Sequence, residues 1–575
     1  MTPPKDNIAF LSGDEALAQG AYEAGLKVAC SYPGTPATEI LEYLTQFKEV
    51  DAQWSVNEKV AFEVAYGASV AGARSMYSSK HVGINVAMDP LMTSAYIGVN
   101  GGFVIVTADD PGLHSSQNEQ DNRLLAKAAK LPLLEPASPA EAKEFAMQAF
   151  EISEKYDTPV MIRLTTRIAH TKENVETGAR QEIANKPYIT NVQKNVMVPG
   201  NAYKRHIELE KRLIALKELS ENSPMNREEM NDTKIGIIAD SVAYLYAKEM
   251  FPEASFLKLG FVHPFPEKKV REFCKKVKEV YVIEEQEPFI EEHIKMLGLT
   301  VKAKHPSYRV GELRPELIPD IINGKEKVEE PAGTRKPVLC PGCMHRPVFS
   351  VLKKLKVIVT GDIGCYTLGA LAPISSLHTC LCMGASVTFL EGFGKVIKKG
   401  VVGVIGDSTF VHSGITGLVD AVYNNAKGVL IILDNGTTAM TGSQPHPATG
   451  KTAKGAPSNK LVLEDLCRAC GVDNVDVVGP FDIKNLETLL KKRLEEDALT
   501  VVIARYPCKI IDRSKTPAPE YIKEKCTKCG LCVAIDCPAL TKTEDNYISI
   551  NADLCTGCNL CVDVCKLNAL KKHRA

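Results

Sequence analysis

The sequence lacks the features that mark a nucleic-acid-binding, membrane-spanning or secreted protein. Its 69 Lys and Arg residues are balanced by 70 Asp and Glu residues, so net charge gives no case for a nucleic acid or an anionic membrane as partner. Apolar runs such as residues 401–405 and 429–433 have the length of a strand and are far too short to span a bilayer. The first residues carry no basic segment followed by an apolar one, so we expect no secretory signal peptide. These absences favour a soluble protein of the cytoplasm.

The chain does contain 18 cysteines, and eight of them fall in two closely spaced runs near the C-terminus. The runs are Cys526-x2-Cys529-x2-Cys532-x4-Cys537-Pro538 and Cys555-x2-Cys558-x2-Cys561-x3-Cys565. Three thiolates at this spacing fit three irons of a [4Fe–4S] cluster, and in two-cluster proteins the fourth ligand comes from the other run. The spacing therefore predicts two clusters, one on Cys526, Cys529, Cys532 and Cys565 and the other on Cys555, Cys558, Cys561 and Cys537.

Zinc knuckles and disulfides are the alternative interpretations of the two runs. Zinc prefers two C-x2-C pairs separated by a longer gap, and disulfides are rare in cytosolic proteins. Iron–sulfur clusters fit the spacing better, and they indicate that the protein transfers single electrons. The first run departs from the bacterial pattern because four residues, instead of three, separate Cys532 from Cys537.

A chain of 575 residues is too long for a single core. Alternating helical and strand patterns predict three doubly wound α/β domains, at residues 1–175, 235–330 and 331–515, followed by a small α+β two-cluster domain at residues 516–575. The intervening residues 176–234 are predicted to be helical and linker sequence, with an amphipathic helix at 204–219 and a polar linker at 221–232. A charged linker is expected at residues 325–336.

Two strand ends in the third α/β domain carry candidate ligands for a cofactor. The motifs are Gly406-Asp407-Ser408 and Asp434-Asn435-Gly436-Thr437, each directly after an apolar run. Neighbouring parallel strands end at one sheet edge, where α/β ligands bind, and carboxylate, amide and carbonyl oxygens suit Mg²⁺. The spacing resembles the thiamine diphosphate signature GDG followed by N, with Ser408 in the third position. The alternative interpretation is that these are turn residues after core strands.

The resemblance to that signature implies a division of roles among its residues. Asp407 and Asn435 would bind Mg²⁺ through their side chains and Thr437 through its carbonyl oxygen, while Gly406 and Ser408 complete the cofactor-binding motif.

Four further cysteines are candidates for a third cluster. Cys340-Pro341-Gly342-Cys343 supplies a C-x2-C pair, and Cys365 and Cys508 lie far along the chain. A [4Fe–4S] cluster, a zinc ion and buried unligated thiols all remain open for this set. We interpret the remaining cysteines as structural thiols: Cys30, Cys274, Cys380, Cys382, Cys467 and Cys470.

Together these features resemble the 2-oxoacid:ferredoxin oxidoreductases, and among them the alpha subunits that act on arylpyruvates such as indolepyruvate. The likeness covers nearly the whole chain. It rests on Gly406-Asp407-Ser408, the cysteine tail, Tyr32-Pro33-Gly34-Thr35-Pro36, residues 109–120, Cys340-Pro341-Gly342-Cys343-Met344-His345-Arg346 and Asp362-Ile363-Gly364-Cys365. It implies the domain order pyrimidine-binding, transketolase C-terminal-like, pyrophosphate-binding and ferredoxin.

The resemblance also assigns a catalytic carboxylate. Glu58, at a predicted strand-to-helix junction, would bind the aminopyrimidine nitrogen N1′ of thiamine diphosphate. The alternative is that Glu58 is only a favourable partner of a helix dipole.

The implied reaction is oxidative decarboxylation of an arylpyruvate with coenzyme A, giving arylacetyl-CoA and CO₂ and passing electrons to ferredoxin. The implied cofactors are thiamine diphosphate, Mg²⁺ and two [4Fe–4S] clusters, with the candidate third. A smaller beta subunit is expected in a heterotetramer of two alpha and two beta chains. Alternatives are oxidation of aliphatic 2-oxoacids, a non-oxidative thiamine-dependent decarboxylase, and a pure electron-transfer subunit.

Overall fold

The computed structural model describes residues 7–328, 337–397 and 399–573. The chain divides into two compact units, Met1–Glu330 and Pro331–Ala575. Most of the linker expected at 325–336 lies outside the described residues.

A seven-stranded sheet forms the first part of the first unit. Its strands, in spatial order, are Phe261–His263, Leu133–Leu134, Val160–Thr165, Phe103–Asp109, Ser75–Lys80, Val28–Ser31 and Asp51–Trp54. All pairs are parallel except Phe261–His263 with Leu133–Leu134. Phe103–Asp109 is buried along its whole length, as expected for a parallel strand between two helical layers.

A five-stranded sheet forms the second part of the same unit. Its order is Lys302–Ala303, Glu279–Ile283, Asp232–Asp240, Ala254–Leu259 and Arg227–Glu229, and only the last strand is antiparallel. The prediction of a polar linker at residues 221–232 is therefore partly wrong, because Arg227–Glu229 is an edge strand. All three of its residues are charged, so it lacks the apolar alternation that predicts a strand. A separate two-stranded antiparallel sheet pairs Ile8–Ser12 with Lys172–Glu176.

Helices cover these sheets. They are Gly13–Glu23, Thr38–Leu44, Glu58–Ala71, His81–Val86, Met88–Ile97, Asn122–Ala128, Pro139–Tyr156, Thr166–His170, Val192–Asn195, Pro199–Asn222, Ser241–Met250, Glu267–Lys276, Phe289–Met296 and Ile318–Ile322. Short 3₁₀ turns lie at Pro306–Arg309 and Pro315–Leu317.

Two fully buried arginines connect the carboxyl ends of the two sheets. Their ion-pair partners are Asp121, Asp240 and Glu284 for Arg123, and Asp109 and Glu135 for Arg163. Asp109 ends a strand of the first sheet and Asp240 ends a strand of the second. Burial alone would raise the pKa of Asp121, but the two arginines lower it to about 2. Removing one partner from such a network would leave an uncompensated buried charge, which is costly.

The second unit contains a fully parallel five-stranded sheet. Its order is Ile358–Thr360, Val401–Gly406, Gly428–Asp434, Leu499–Arg505 and Asn474–Val478. Its helices are His345–Leu355, Ala385–Val396, Asp407–Thr409, Ile415–Tyr423, Leu463–Ala469 and Ile483–Leu494, with a π-helical turn at Phe410–Gly414 and 3₁₀ turns at Cys365–Ala370, Ala439–Thr441 and Pro447–Thr449.

The cysteine tail folds as two small antiparallel strand pairs and one short helix. The pairs are Glu520–Tyr521 with Leu570–Lys571 and Leu540–Lys542 with Ile548–Ile550, and the helix is Leu560–Val564. Short 3₁₀ turns occupy Lys523–Lys525 and Val533–Ile535. The fold class predicted from the sequence is confirmed: mixed α/β with several parallel sheets and a small α+β tail. Among the described residues, no helix is both long enough and apolar enough to cross a membrane.

Candidate active site and cysteine quartets

The two motif-bearing strands of the second unit are hydrogen-bonded neighbours, as predicted. Val401–Gly406 pairs in parallel with Gly428–Asp434, with Gly406 opposite Leu433. Asp407 directly follows the first strand and is 2% exposed. Its carboxylate accepts hydrogen bonds of 2.8 Å from the backbone N–H groups of Ser408 and Gly436, so one side chain joins both loops.

The second loop, residues 435–437, follows the strand Gly428–Asp434 at the same sheet edge. Asn435 Oδ1 accepts a bond of 3.0 Å from the Thr437 N–H, and Thr437 is itself buried. The Ser408 hydroxyl accepts a bond of 2.9 Å from Thr438, so serine at the third motif position ties the first loop to the second. The carboxylate of Asp407 and the amide oxygen of Asn435 therefore lie on two neighbouring loops at one strand edge, and oxygens of these kinds fit Mg²⁺ and a diphosphate.

His446 also belongs to this edge, and no motif in the sequence indicated it. His446 is buried, and its Nε2 lies 3.3 Å from Asp407 Oδ2. It lies 39 residues beyond Asp407 on a loop, so only the fold brings the two together.

The four candidate ligands of a third cluster line a single cavity. Cys340, Cys343, Cys365 and Cys508 all contribute to its wall, together with Asn435. The Cys508 N–H also donates to the Asn435 carbonyl at 3.0 Å. Burial, and then the other three thiols, raise the pKa of Cys365 to about 12. Crowded thiols of this kind would be stabilised by a bound metal cation, and the cavity adjoins the proposed cofactor edge.

The tail cysteines also separate into the two predicted sets. One cavity is lined by Cys526, Cys529, Cys532 and Cys565. A second cavity is lined by Cys537, Cys555, Cys558 and Cys561. Each run thus donates one cysteine to the other run's cavity, and the longer Cys532–Cys537 spacing does not prevent it. In each set, three of the four thiols come from one loop and the fourth comes from the other. This donor arrangement fits [4Fe–4S] clusters.

Cys343 lines the cavity of the third set and also the second tail cavity. The Cys340–Cys343 loop approaches the Cys555–Cys558 loop so closely that a Cβ on Gly342 would lie 2.2 Å from Thr556 Oγ1. Gly342 also has a positive φ of 69°. Both the close approach to Thr556 and this backbone conformation favour glycine at the position. The third set of cysteines and the second tail set are therefore neighbours within the second unit.

Glu58 lies in the first unit, at the start of the helix Glu58–Ala71. The Asn57 side chain caps this helix by accepting a bond of 2.9 Å from the Val60 N–H. Glu58 is 5% exposed and packs against Gly83, where a Cβ would lie 2.8 Å from Glu58 Oε1. A carboxylate that served only the helix dipole would have no need of this burial. The residue remains our predicted catalytic carboxylate.

Lys80 is a second residue that sequence reasoning missed. It ends the strand Ser75–Lys80, and its ammonium donates to the Ser115 carbonyl at 2.9 Å. Its side chain also packs against Gly34, so it joins the motifs at 32–36 and 109–120. Burial lowers the pKa of Lys80 to about 8, against the opposing charges of Asp110 and Glu58. Its signal in the sequence was a lysine that closes an otherwise uncharged strand.

Comparisons with known families agree with this arrangement. Residues 19–214 match the family model "Pyruvate flavodoxin/ferredoxin oxidoreductase, thiamine diP-bdg", residues 362–504 match "Thiamine pyrophosphate enzyme, C-terminal TPP binding domain", and residues 548–571 match "4Fe-4S binding domain". With the fold and the cysteine sets, these matches define a thiamine-dependent subunit of the 2-oxoacid:ferredoxin oxidoreductase class.

Curated relatives narrow the class. The chain is 40% identical to indolepyruvate oxidoreductase subunit IorA of Archaeoglobus fulgidus, over 98% of each chain. It is 37% identical to the same subunit of Pyrococcus horikoshii, over 99% of this chain and 98% of that one. The chain belongs to the family of indolepyruvate oxidoreductase IorA subunits. Among solved structures, a 2-oxoglutarate:ferredoxin oxidoreductase from Magnetococcus marinus matches at a TM-score of 0.48 and 16% identity, covering 55% of this chain and 65% of that one.

Proposed function

We propose that this chain catalyses the oxidative decarboxylation of arylpyruvates, indolepyruvate among them, with coenzyme A. The products are an arylacetyl-CoA and CO₂, and the electrons pass through iron–sulfur clusters to ferredoxin. The observation that carries the proposal is that Asn435, at the proposed cofactor edge, lines the same cavity as four cysteines. A thiamine site would thereby adjoin the first carrier of an electron chain.

Asp407, Asn435 and Thr437 would hold Mg²⁺ and through it the diphosphate, with Gly406 and Ser408 forming the strand end beneath. When bound, thiamine diphosphate supplies the carbon nucleophile that permits loss of CO₂ from a 2-oxoacid. Glu58 would hold a proton at the aminopyrimidine nitrogen N1′. Lys80, a cation close to Glu58, would attract the carboxylate of the 2-oxoacid.

We expect three clusters, and therefore about twelve irons per anaerobically purified chain, at four irons per cluster. Cys340→Ser should lower the count to about eight, because it removes a ligand of the third set alone. Total iron, acid-labile sulfide and zinc would be measured, with Cys470→Ser as the control outside every quartet. Unchanged iron in Cys340→Ser would make the third set a group of thiols, and zinc in its place would make it a zinc site.

Membership of the family supports the remaining partners that we propose. A smaller beta subunit would complete a heterotetramer of two alpha and two beta chains, and the enzyme would work in the cytoplasm. Within the described residues, all 18 cysteines are free of disulfides, which suits a reducing compartment.

Ferredoxin would dock where the first tail quartet reaches the surface. Cys529 is exposed there, and four lysines, Lys525, Lys528, Lys542 and Lys566, line the cavity without a carboxylate among its lining residues. We call these four residues the lysine collar. Exposed Leu531 and Leu567 lie beside it. A positive rim around a small apolar patch suits a brief encounter with an acidic electron carrier.

Reversing two charges of the collar, Lys528→Glu with Lys566→Glu, should raise the KM for ferredoxin roughly tenfold because electrostatic steering is lost. Raising the ionic strength should reduce the difference in this KM between the variant and the parent protein. Reduction of a small neutral dye should be unchanged. Lys571→Glu with Lys572→Glu, at exposed positions outside the cavity lining, is the matched control. An equal effect from both pairs would contradict a collar-specific docking surface.

The proposed reaction is tested with the subunit in its natural complex. Indolepyruvate should reduce ferredoxin only when coenzyme A is present, and mass spectrometry should find the arylacetyl-CoA. Release of an arylacetaldehyde without an acceptor would favour the non-oxidative decarboxylase. Faster turnover of aliphatic 2-oxoacids would favour the other alternative.

A further inference from the structure

Arg346 is a buried cation without an acidic partner. The residue is 3% exposed. Its guanidinium donates to three backbone carbonyls: those of Cys340 and Leu339, and that of Asp536 through Nε at 3.2 Å and Nη2 at 2.9 Å. No carboxylate of the described residues forms an ion pair with it. Carbonyl dipoles alone leave the net charge uncompensated, and burying such a charge is costly.

The position of Arg346 in its helix adds to that cost. It is the second residue of the helix His345–Leu355, and a cation is disfavoured at a helix N-terminus. Neither the helix nor any described acid explains why a positive charge is held here. An anion nearby would explain it.

Arg346 contacts residues of two cysteine sets. Its side chain lines the second tail cavity with Cys537, Cys555 and Cys558, and it binds the Cys340 carbonyl of the third set. A [4Fe–4S] cluster with four thiolate ligands carries net negative charge. Two clusters flanking one guanidinium would supply the compensation that the protein does not.

The unusual spacing in the first cysteine run has a role in this arrangement. The residue that precedes Cys537 is Asp536, whose φ of 56° lies in the left-handed region that Asp tolerates. Its carbonyl accepts both bonds from Arg346. The four-residue loop therefore presents a carbonyl to Arg346 directly beside a predicted cluster ligand.

We propose that Arg346 is the shared counter-ion and the fixed link between the third cluster and the adjacent tail cluster. The inference rests on the proposed function, because it requires both clusters. Arg346 would act as a positioning residue for the transfer of one electron between a cluster held by Cys340, Cys343, Cys365 and Cys508 and a cluster held by Cys537, Cys555, Cys558 and Cys561, a transfer in which no bond is made or broken. The guanidinium holds the two loops together, and its charge would favour the more negative, reduced state of either cluster.

The test compares Arg346→Gln, which removes the charge, with Arg346→Lys, which keeps it. In the full complex, redox titration followed by electron paramagnetic resonance should show lower reduction potentials for both clusters in Arg346→Gln and a smaller shift in Arg346→Lys. Reduction of the tail clusters in a single turnover should slow by roughly tenfold to a hundredfold in Arg346→Gln. Controls are Arg493→Gln, a buried arginine of the same unit paired with Asp476 and Glu496, and Asp536→Asn, which leaves the carbonyl in place.

Iron content separates the outcomes. About twelve irons with unchanged potentials in Arg346→Gln would overturn the inference and leave the proposed function intact. About eight irons in the parent protein would remove the third cluster and the inference with it. If Arg346→Gln loses iron, Arg346→Lys decides: retained iron with slower transfer supports the inference. Loss of iron in both variants would reduce Arg346 to a part of the metal-binding fold and overturn it.

Discussion

Asp407→Ala should abolish retention of thiamine diphosphate while the iron content stays at the parent value. The carboxylate is the strongest Mg²⁺ ligand of the proposed set, and it also bonds the N–H groups of Ser408 and Gly436. Its loss would remove a proposed metal ligand and would loosen both loops at once. We expect affinity for the cofactor to fall by at least roughly a hundredfold, because mutating a group that only hydrogen-bonds to a metal ligand already lowers metal affinity by up to that factor. Isothermal titration with thiamine diphosphate and Mg²⁺ would measure it.

Asp420→Ala is the matched control for this prediction. Asp420 is an exposed acid on the helix Ile415–Tyr423 of the same unit, so its removal tests net charge without touching the strand edge. Asp407→Asn adds a graded case, because it keeps the shape and loses the charge. Normal cofactor content in Asp407→Ala would refute the assignment of this edge.

Glu58→Gln should lower turnover by roughly a hundredfold to ten-thousandfold, the range for loss of a general acid–base group. Thiamine diphosphate and iron should both be retained, because the predicted metal ligands and cysteines lie in the other unit. Glutamine has nearly the same shape and can still bond a nitrogen, but it cannot exchange the proton. The measurement is kcat together with the rate of hydrogen–deuterium exchange at the thiazolium carbon.

Glu63→Gln controls for the helix. Glu63 lies on the same helix as Glu58 but is exposed and paired with Lys59, so it should leave turnover unaffected. Equal losses from the two variants would point to damage of the helix, and unchanged turnover in Glu58→Gln would remove Glu58 from the catalytic role.

The features that the sequence predicted well are those set by local pattern. The apolar run at 429–433 became the strand Gly428–Asp434, and the helix expected at 204–219 became Pro199–Asn222. The two tail sets of cysteines could be predicted because ligand spacing within each loop is fixed by cluster geometry. In each case, neighbours in sequence carry the information.

The features that it missed depend on contacts between distant residues. His446 meets Asp407, Lys80 meets Gly34, and Arg346 meets Asp536 only after the chain has folded. The strands Leu133–Leu134 and Phe261–His263 are too short to show any periodicity. Side chains that close a site from another element leave no signature at a fixed spacing.

The strand Phe261–His263 has a consequence for building hybrid enzymes. It follows the second sheet's Ala254–Leu259 in the chain, yet it closes the edge of the first sheet beside Leu133–Leu134. A chimaera joined near residue 234 would therefore import a foreign edge for the first sheet and a foreign set of acids for Arg123. Recombination between relatives should succeed only when residues 7–328 are exchanged as one block.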